Sequence, residues 1–94
     1  MTESDLFKQN IQYHGEEKET TICMEECAEL IQAISKCKRY GCNNEYRDNL
    51  IEEIADVSII IDELKLIYHI DYQDISSIRQ KKIARILKRI KNNL

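Results

Sequence analysis

The 94-residue chain contains no proline and no tryptophan, and its two glycines are Gly15 and Gly41. Without proline no helix is forced to kink, so the glycines are the strongest candidates for punctuation. Aromatic residues make up 6% of the chain, so any stacking on a ligand must fall to tyrosine or to the single phenylalanine. No run of 18 apolar residues occurs, which predicts no transmembrane span. The opening MTESDLFKQN has neither a basic nor an apolar leader segment, which predicts no signal peptide and a cytoplasmic protein. Four cysteines, Cys23, Cys27, Cys37 and Cys42, form no CxxC pair and no Cys/His set at zinc spacing. They are expected to be reduced and to serve as small apolar residues in helix packing.

What remains is helical. The length suits one domain, 1–94, with a modest core, and the scarcity of breakers predicts an all-α fold. The net charge of -3 conceals a segregation: residues 1–78 carry 7 Lys/Arg against 17 acids, whereas residues 79–94 carry 7 Lys/Arg and no acid. An acidic body repels a nucleic-acid backbone and attracts divalent cations.

Ser4 or Thr2 can cap a short first helix bearing Leu6, Phe7 and Ile11 and ending near His14 and Gly15. A second helix is expected from about Glu17 to Tyr40, with Ile22, Cys23, Leu30, Ile34 and Cys37 at spacings of three and four. Gly41 stops it, and the short GCNN connection predicts that a third helix, from near Glu45, runs back antiparallel. Its expected stripe is Leu50, Ile54, Val57, Ile61, Leu64 and Tyr68. Ile59, Ile60, Leu66 and Ile67 spread apolarity to other faces, as in a helix enclosed on several sides, which suggests a subunit interface. Asp71, with Asp74 three residues on, opens a fourth helix from about Tyr72 to Lys91.

Pairs of acids three residues apart are common, and position separates them. Glu16 with Glu19, Glu45 with Asp48 and Asp71 with Asp74 lie at helix starts, where the macrodipole and unpaired amides favour acids. Glu26 with Glu29 and Glu53 with Asp56 lie inside the second and third helices, where no cap is needed. On a helical wheel Glu26 falls between Ile22 and Leu30, and Glu53 among Val57, Ile60 and Leu64. A carboxylate on an apolar face must take up a proton or find a cation. Residues i and i+3 are neighbours on a helix, so each pair can aim its oxygens at one point. Facing one another, the two pairs make a hard-oxygen site of the kind that selects Mg²⁺ or Mn²⁺ and leaves room for substrate phosphates. The structural alternative pairs these acids with Lys36, Lys38, Arg39 or the basic tail.

EECAEL (residues 25–30), EEIADV (residues 52–57), the 23 residues between Glu29 and Glu53, the YHG turn and the KxxR from Lys82 to Arg85 together resemble the MazG-like, all-α nucleoside triphosphate pyrophosphohydrolases. The resemblance spans nearly the whole chain. It implies a four-helix bundle with two long antiparallel central helices, assembled as a homodimer or homotetramer. It also implies hydrolysis of a nucleoside triphosphate to the monophosphate and pyrophosphate, with Mg²⁺ held by Glu26, Glu29, Glu53 and Asp56 as the catalytic set. Glu25 and Glu52 stand beside that set, where they can orient water. Lys82 and Arg85 are the candidate substrate-binding pair, since arginine grips phosphate in bidentate fashion. Phe7, Tyr13, His14, Tyr40 and Tyr46 are candidate base-stacking residues, with core or rim placement as the simpler role. Two further readings compete: a phosphoribosyl-ATP pyrophosphohydrolase, and a non-catalytic helical dimer that binds a partner through its basic fourth helix.

Overall fold

A computed structural model describes residues 1–93, and among them every element is helical: α1 (Glu3–His14), α2 (Glu16–Tyr40), α3 (Asn44–Ile67) and α4 (Tyr72–Asn92). Both α1 and α4 open on a local cap. The Thr2 hydroxyl accepts from the Asp5 amide at 3.0 Å, and the Asp5 carboxylate accepts from the Thr2 amide at 3.2 Å. This reciprocal cap satisfies two orphan donors, and its hydrogen bonds hold the Asp5 carboxyl below its usual pKa. Asp71 and Asp74 repeat the device at the start of α4, at 3.0 and 3.2 Å. Gly15 joins α1 to α2 at φ 85°, a backbone setting that side chains other than glycine resist, and its N–H closes α1 on the Ile11 carbonyl at 2.7 Å. No helix among the described residues is long and apolar enough to cross a membrane.

The core lies between α2 and α3. On α2 the buried or half-buried residues include Glu19, Cys23, Glu26, Leu30, Ala33 and Cys37, in alternating steps of four and three. On α3 Tyr46, Leu50, Glu53, Val57, Ile60, Leu64 and Ile67 repeat these steps, and the fully buried Glu63 lies beside them. That alternation is the signature of two helices meeting along one seam. The Cys23 thiol reaches the Ile60 carbonyl at 3.8 Å, and the Cys37 thiol reaches the Tyr46 carbonyl at 3.5 Å. The start of α2 therefore meets the end of α3, and the end of α2 the start of α3. Helix α1 packs on both.

The seam departs from the expected stripes by one residue at alternate positions. Ala33 replaces Ile34, and Glu53, Ile60 and Ile67 replace Ile54, Ile61 and Tyr68, all of which are exposed. The cause is that α3 is apolar on several sides, so neighbouring stripes one residue apart are equally apolar. The cysteines also differ from expectation. Cys23 alone is fully buried; Cys37 is half-buried, and Cys27 and Cys42 are exposed.

Helix α4 packs on none of the other three. Its Ile78, Ile83, Ile86, Leu87 and Ile90 are all about half exposed, so the helix carries an apolar side that stays largely uncovered. The radius of gyration, 16.7 Å, exceeds the roughly 12 Å of a compact domain of this length for the same reason.

Stability should follow burial in the seam. Ile60→Ala is expected to lower the unfolding free energy by about 2–5 kcal/mol, and Thr2→Ala by about 1 kcal/mol, in urea melts followed by far-ultraviolet circular dichroism.

Candidate metal centre

Glu26 projects from the middle of α2 toward Glu53 and Asp56 on α3, and each can offer one oxygen within 4.8 Å of the other two. The three-residue step from Glu53 to Asp56 puts both on one side of α3, and the hairpin brings Glu26 to them. The Glu26 Oε2 and Glu53 Oε2 atoms are closed to solvent and have no hydrogen-bond partner. Such atoms are uncommon, because a buried acceptor without a donor costs about 1–3 kcal/mol.

The electrostatics express the same conflict. Burial, followed by the charges of Glu29, Asp56 and Glu53, pushes the Glu26 carboxyl up to about 7. Burial and the charges of Glu29 and Asp56 also raise the Glu53 carboxyl. No lysine or arginine relieves them: among the described residues the ion pairs are His14–Glu19 and Lys65–Asp62. The alternative in which Lys36, Lys38, Arg39 or the tail neutralises these acids is not realised in this chain.

Glu29 lies one turn beyond Glu26, exposed, with its charge acting on both Glu26 and Glu53. It borders the group of three without joining it. Lys82 and Arg85 are exposed on α4, and because α4 packs on no other helix the fold does not deliver them to the acids of their own chain. Lys82 instead lines an apolar groove of about 770 Å³ with Ile70, Ile75, Ile78 and Ile83. Tyr40 and Tyr46 stack on one another, with centroids 5.2 Å apart, beside the α2–α3 turn.

A second polar cluster lies two helical turns along the same seam. Glu19 and Glu63 are each only 2% exposed. One amide group, Asn10 Nδ2, donates to Glu19 Oε1 at 3.2 Å and to Glu63 Oε2 at 2.9 Å, while His14 Nδ1 lies 2.8 Å from Glu19 Oε2. Burial raises the Glu63 carboxyl, Asn10 opposes that rise, and Glu19 adds to it. These contacts fasten α1 to both long helices. Local spacing alone accounts for Glu19 as a first-turn acid and for His14 as a helix end, and nothing local singles out Glu63. Spacing held the signal, because Glu19 precedes Glu26 by seven residues and Glu63 follows Asp56 by seven, which keeps each on its neighbour's face.

Compared with known proteins, the chain matches no family model, no characterised protein and no solved structure.

Two measurements test this electrostatic layout. A carboxyl raised in the folded state is stabilising when protonated, so metal-free protein should lose stability as pH rises from 4.5 through about 7. Glu26→Gln should flatten that slope in urea melts, being more stable than the native chain above pH 7 and losing the advantage at pH 4.5. Asn10→Ala, which strips the shared donor from two buried carboxylates, should cost about 1–3 kcal/mol and open α1 to limited proteolysis.

Proposed function

We propose that this chain is a Mg²⁺-dependent nucleoside triphosphate pyrophosphohydrolase of the MazG-like, all-α kind, with α2 and α3 as its two long antiparallel central helices. One observation carries the reading: Glu26, Glu53 and Asp56 converge from two helices, and two of their oxygens are buried without a donor. A divalent cation fits that set, since hard carboxylate oxygens with no histidine or thiolate among them suit Mg²⁺ or Mn²⁺. In this reading Glu26, Glu53 and Asp56 hold the cation and Glu29 completes the four-carboxylate set. When bound, the cation neutralises triphosphate charge and acidifies a water molecule.

The chain's own residues account for the remainder. Glu29 is exposed beside the buried oxygens, which leaves it open to take a proton from an attacking water. The bond broken joins the α and β phosphates, releasing the nucleoside monophosphate and pyrophosphate. Lys82 and Arg85 bind the phosphates from the basic face of α4. Because α4 has no partner in its own chain, they do so across a homodimer or homotetramer. The exposed Met24, Ile31, Ile54 and Ile61 on the long helices support that assembly, as they are apolar surface for a second copy to cover. The setting is cytoplasmic, where nucleoside triphosphates are made and used.

The same free helix α4 favours the second reading, a non-catalytic helical dimer that engages an acidic partner through Lys81, Lys82, Arg85, Lys88 and Arg89. Purified protein incubated with Mg²⁺ and a panel of NTPs, dNTPs and phosphoribosyl-ATP, with products resolved by ion exchange, separates the two. Monophosphate and pyrophosphate are expected, with turnover lower by about a hundredfold or more in Glu53→Gln. Preference for phosphoribosyl-ATP would move the substrate within the same chemistry. Diphosphate and phosphate would overturn the assigned bond. No turnover together with no Mg²⁺ binding by calorimetry would leave the binding module.

A further inference from the structure

The turn between α2 and α3 brings together two of the cysteines. Gly41 sits just past the last residue of α2 at φ 90° and donates its N–H to the Cys37 carbonyl at 2.9 Å. This positive-φ stop turns the chain out of the helix, and the next residue, Cys42, lands beside the final turn of α2. The contact there is between thiols: the Cys37 and Cys42 sulfurs are 2.6 Å apart, and both cysteines are free. The surroundings brace the arrangement, since the Tyr40 and Tyr46 rings stack across the turn and the Arg39 guanidinium lies 5.2 Å from the centre of the Tyr40 ring. Cys42 is exposed, whereas Cys37 is half-buried against the Tyr46 carbonyl.

We propose that Cys37 and Cys42 form a reversible, peroxide-responsive dithiol that closes to an intrachain disulfide across the tip of the α2–α3 hairpin. Cys42, the accessible partner, attacks a peroxide oxygen as the thiolate. The S–O bond forms, the O–O bond breaks, and the departing hydroxide takes up the proton that Cys42 gave up, leaving as water. The Cys37 sulfur then attacks the Cys42 sulfenic sulfur, the S–S bond forms, the S–O bond breaks, and the hydroxyl leaves as a second water with the Cys37 proton. Two thiols and one hydrogen peroxide thus become one disulfide and two waters. The neighbouring Cys42 sulfur keeps the Cys37 thiol protonated above its usual range, in keeping with Cys42 as the first to react. The thiol pair stands independently of the metal reading.

The test is hydrogen peroxide treatment of the whole protein, thiol titration after unfolding, and peptide mapping. Lys38 and Arg39 lie between the two cysteines, so trypsin places them on separate peptides that only a disulfide holds together. The expected result is loss of two thiols of the four, a Cys37–Cys42 cross-link within one chain, Cys23 and Cys27 still free, and recovery of all four with dithiothreitol. In Cys37→Ser, Cys42 should instead be trapped as the sulfenic acid and labelled by a 1,3-diketone. Gly41→Ala, strained at this φ, should slow closure without abolishing the fold. Chain-to-chain disulfides, consumption of Cys27 in place of Cys37, or separately oxidised Cys37 and Cys42 with no cross-link would each overturn the proposal.

Discussion

Negative charge along the α2–α3 seam is the constraint to which the rest of the molecule answers. Glu19, Glu26, Glu53 and Glu63 occupy positions that an ordinary helical pair fills with leucine or isoleucine, and the fully buried apolar residues are only Cys23, Ala33, Ile60 and Ile67 among those described. Carboxylates in such a place lose hydration, and among the described residues no lysine or arginine pairs with Glu26 or Glu53. The chain treats the two groups of acids differently. Glu19 and Glu63 are satisfied internally by Asn10 and His14. Glu26 and Glu53 retain oxygens with no partner.

That difference distinguishes a structural network from a candidate site. The first group orders α1 against both long helices, and each of its two carboxylates accepts from Asn10. The second has chemistry still open to an external cation. Between them lies the apolar layer of Cys23 and Ile60, so one seam holds a fastened end and a middle whose acids lack partners. At its other end the glycine stop and the tyrosine stack shape a tight turn, and two sulfurs meet there as a consequence of the same backbone geometry.

Helix α4 follows from charge as well as from apolarity. It gathers seven of the fourteen basic residues and no acid after Arg79, and its isoleucines are 37% to 54% exposed. Lone exposed isoleucines are unremarkable on a protein surface, but a whole helical side of them is a face awaiting a surface. The body of the chain is acidic and this arm is basic, so the two are opposite in charge.

Helix boundaries were legible from residues alone, because caps and stops are local: Thr2 with Asp5, Asp71 with Asp74, and the glycines at 15 and 41 act on neighbours a few positions away. The candidate acids were legible because Glu26 and Glu53 interrupt apolar faces at helix interiors, where no local need explains them. The seam's rotation was not legible, since α3 is apolar on several sides and the positions nearest α2 are partly filled by glutamate, so periodicity could not rank Ile60 over Ile61. Nor was the Glu19–Asn10–Glu63 network, whose members lie up to 53 residues apart. Composition and short-range spacing by themselves determined that this chain is helical, where its capped and glycine-stopped helix ends fall, and which interior acids lack a local role. Only the tertiary structure decided which acids are shielded and which are satisfied, that α4 stands apart, and that Cys42 returns to Cys37, because burial and pairing depend on which helix faces which.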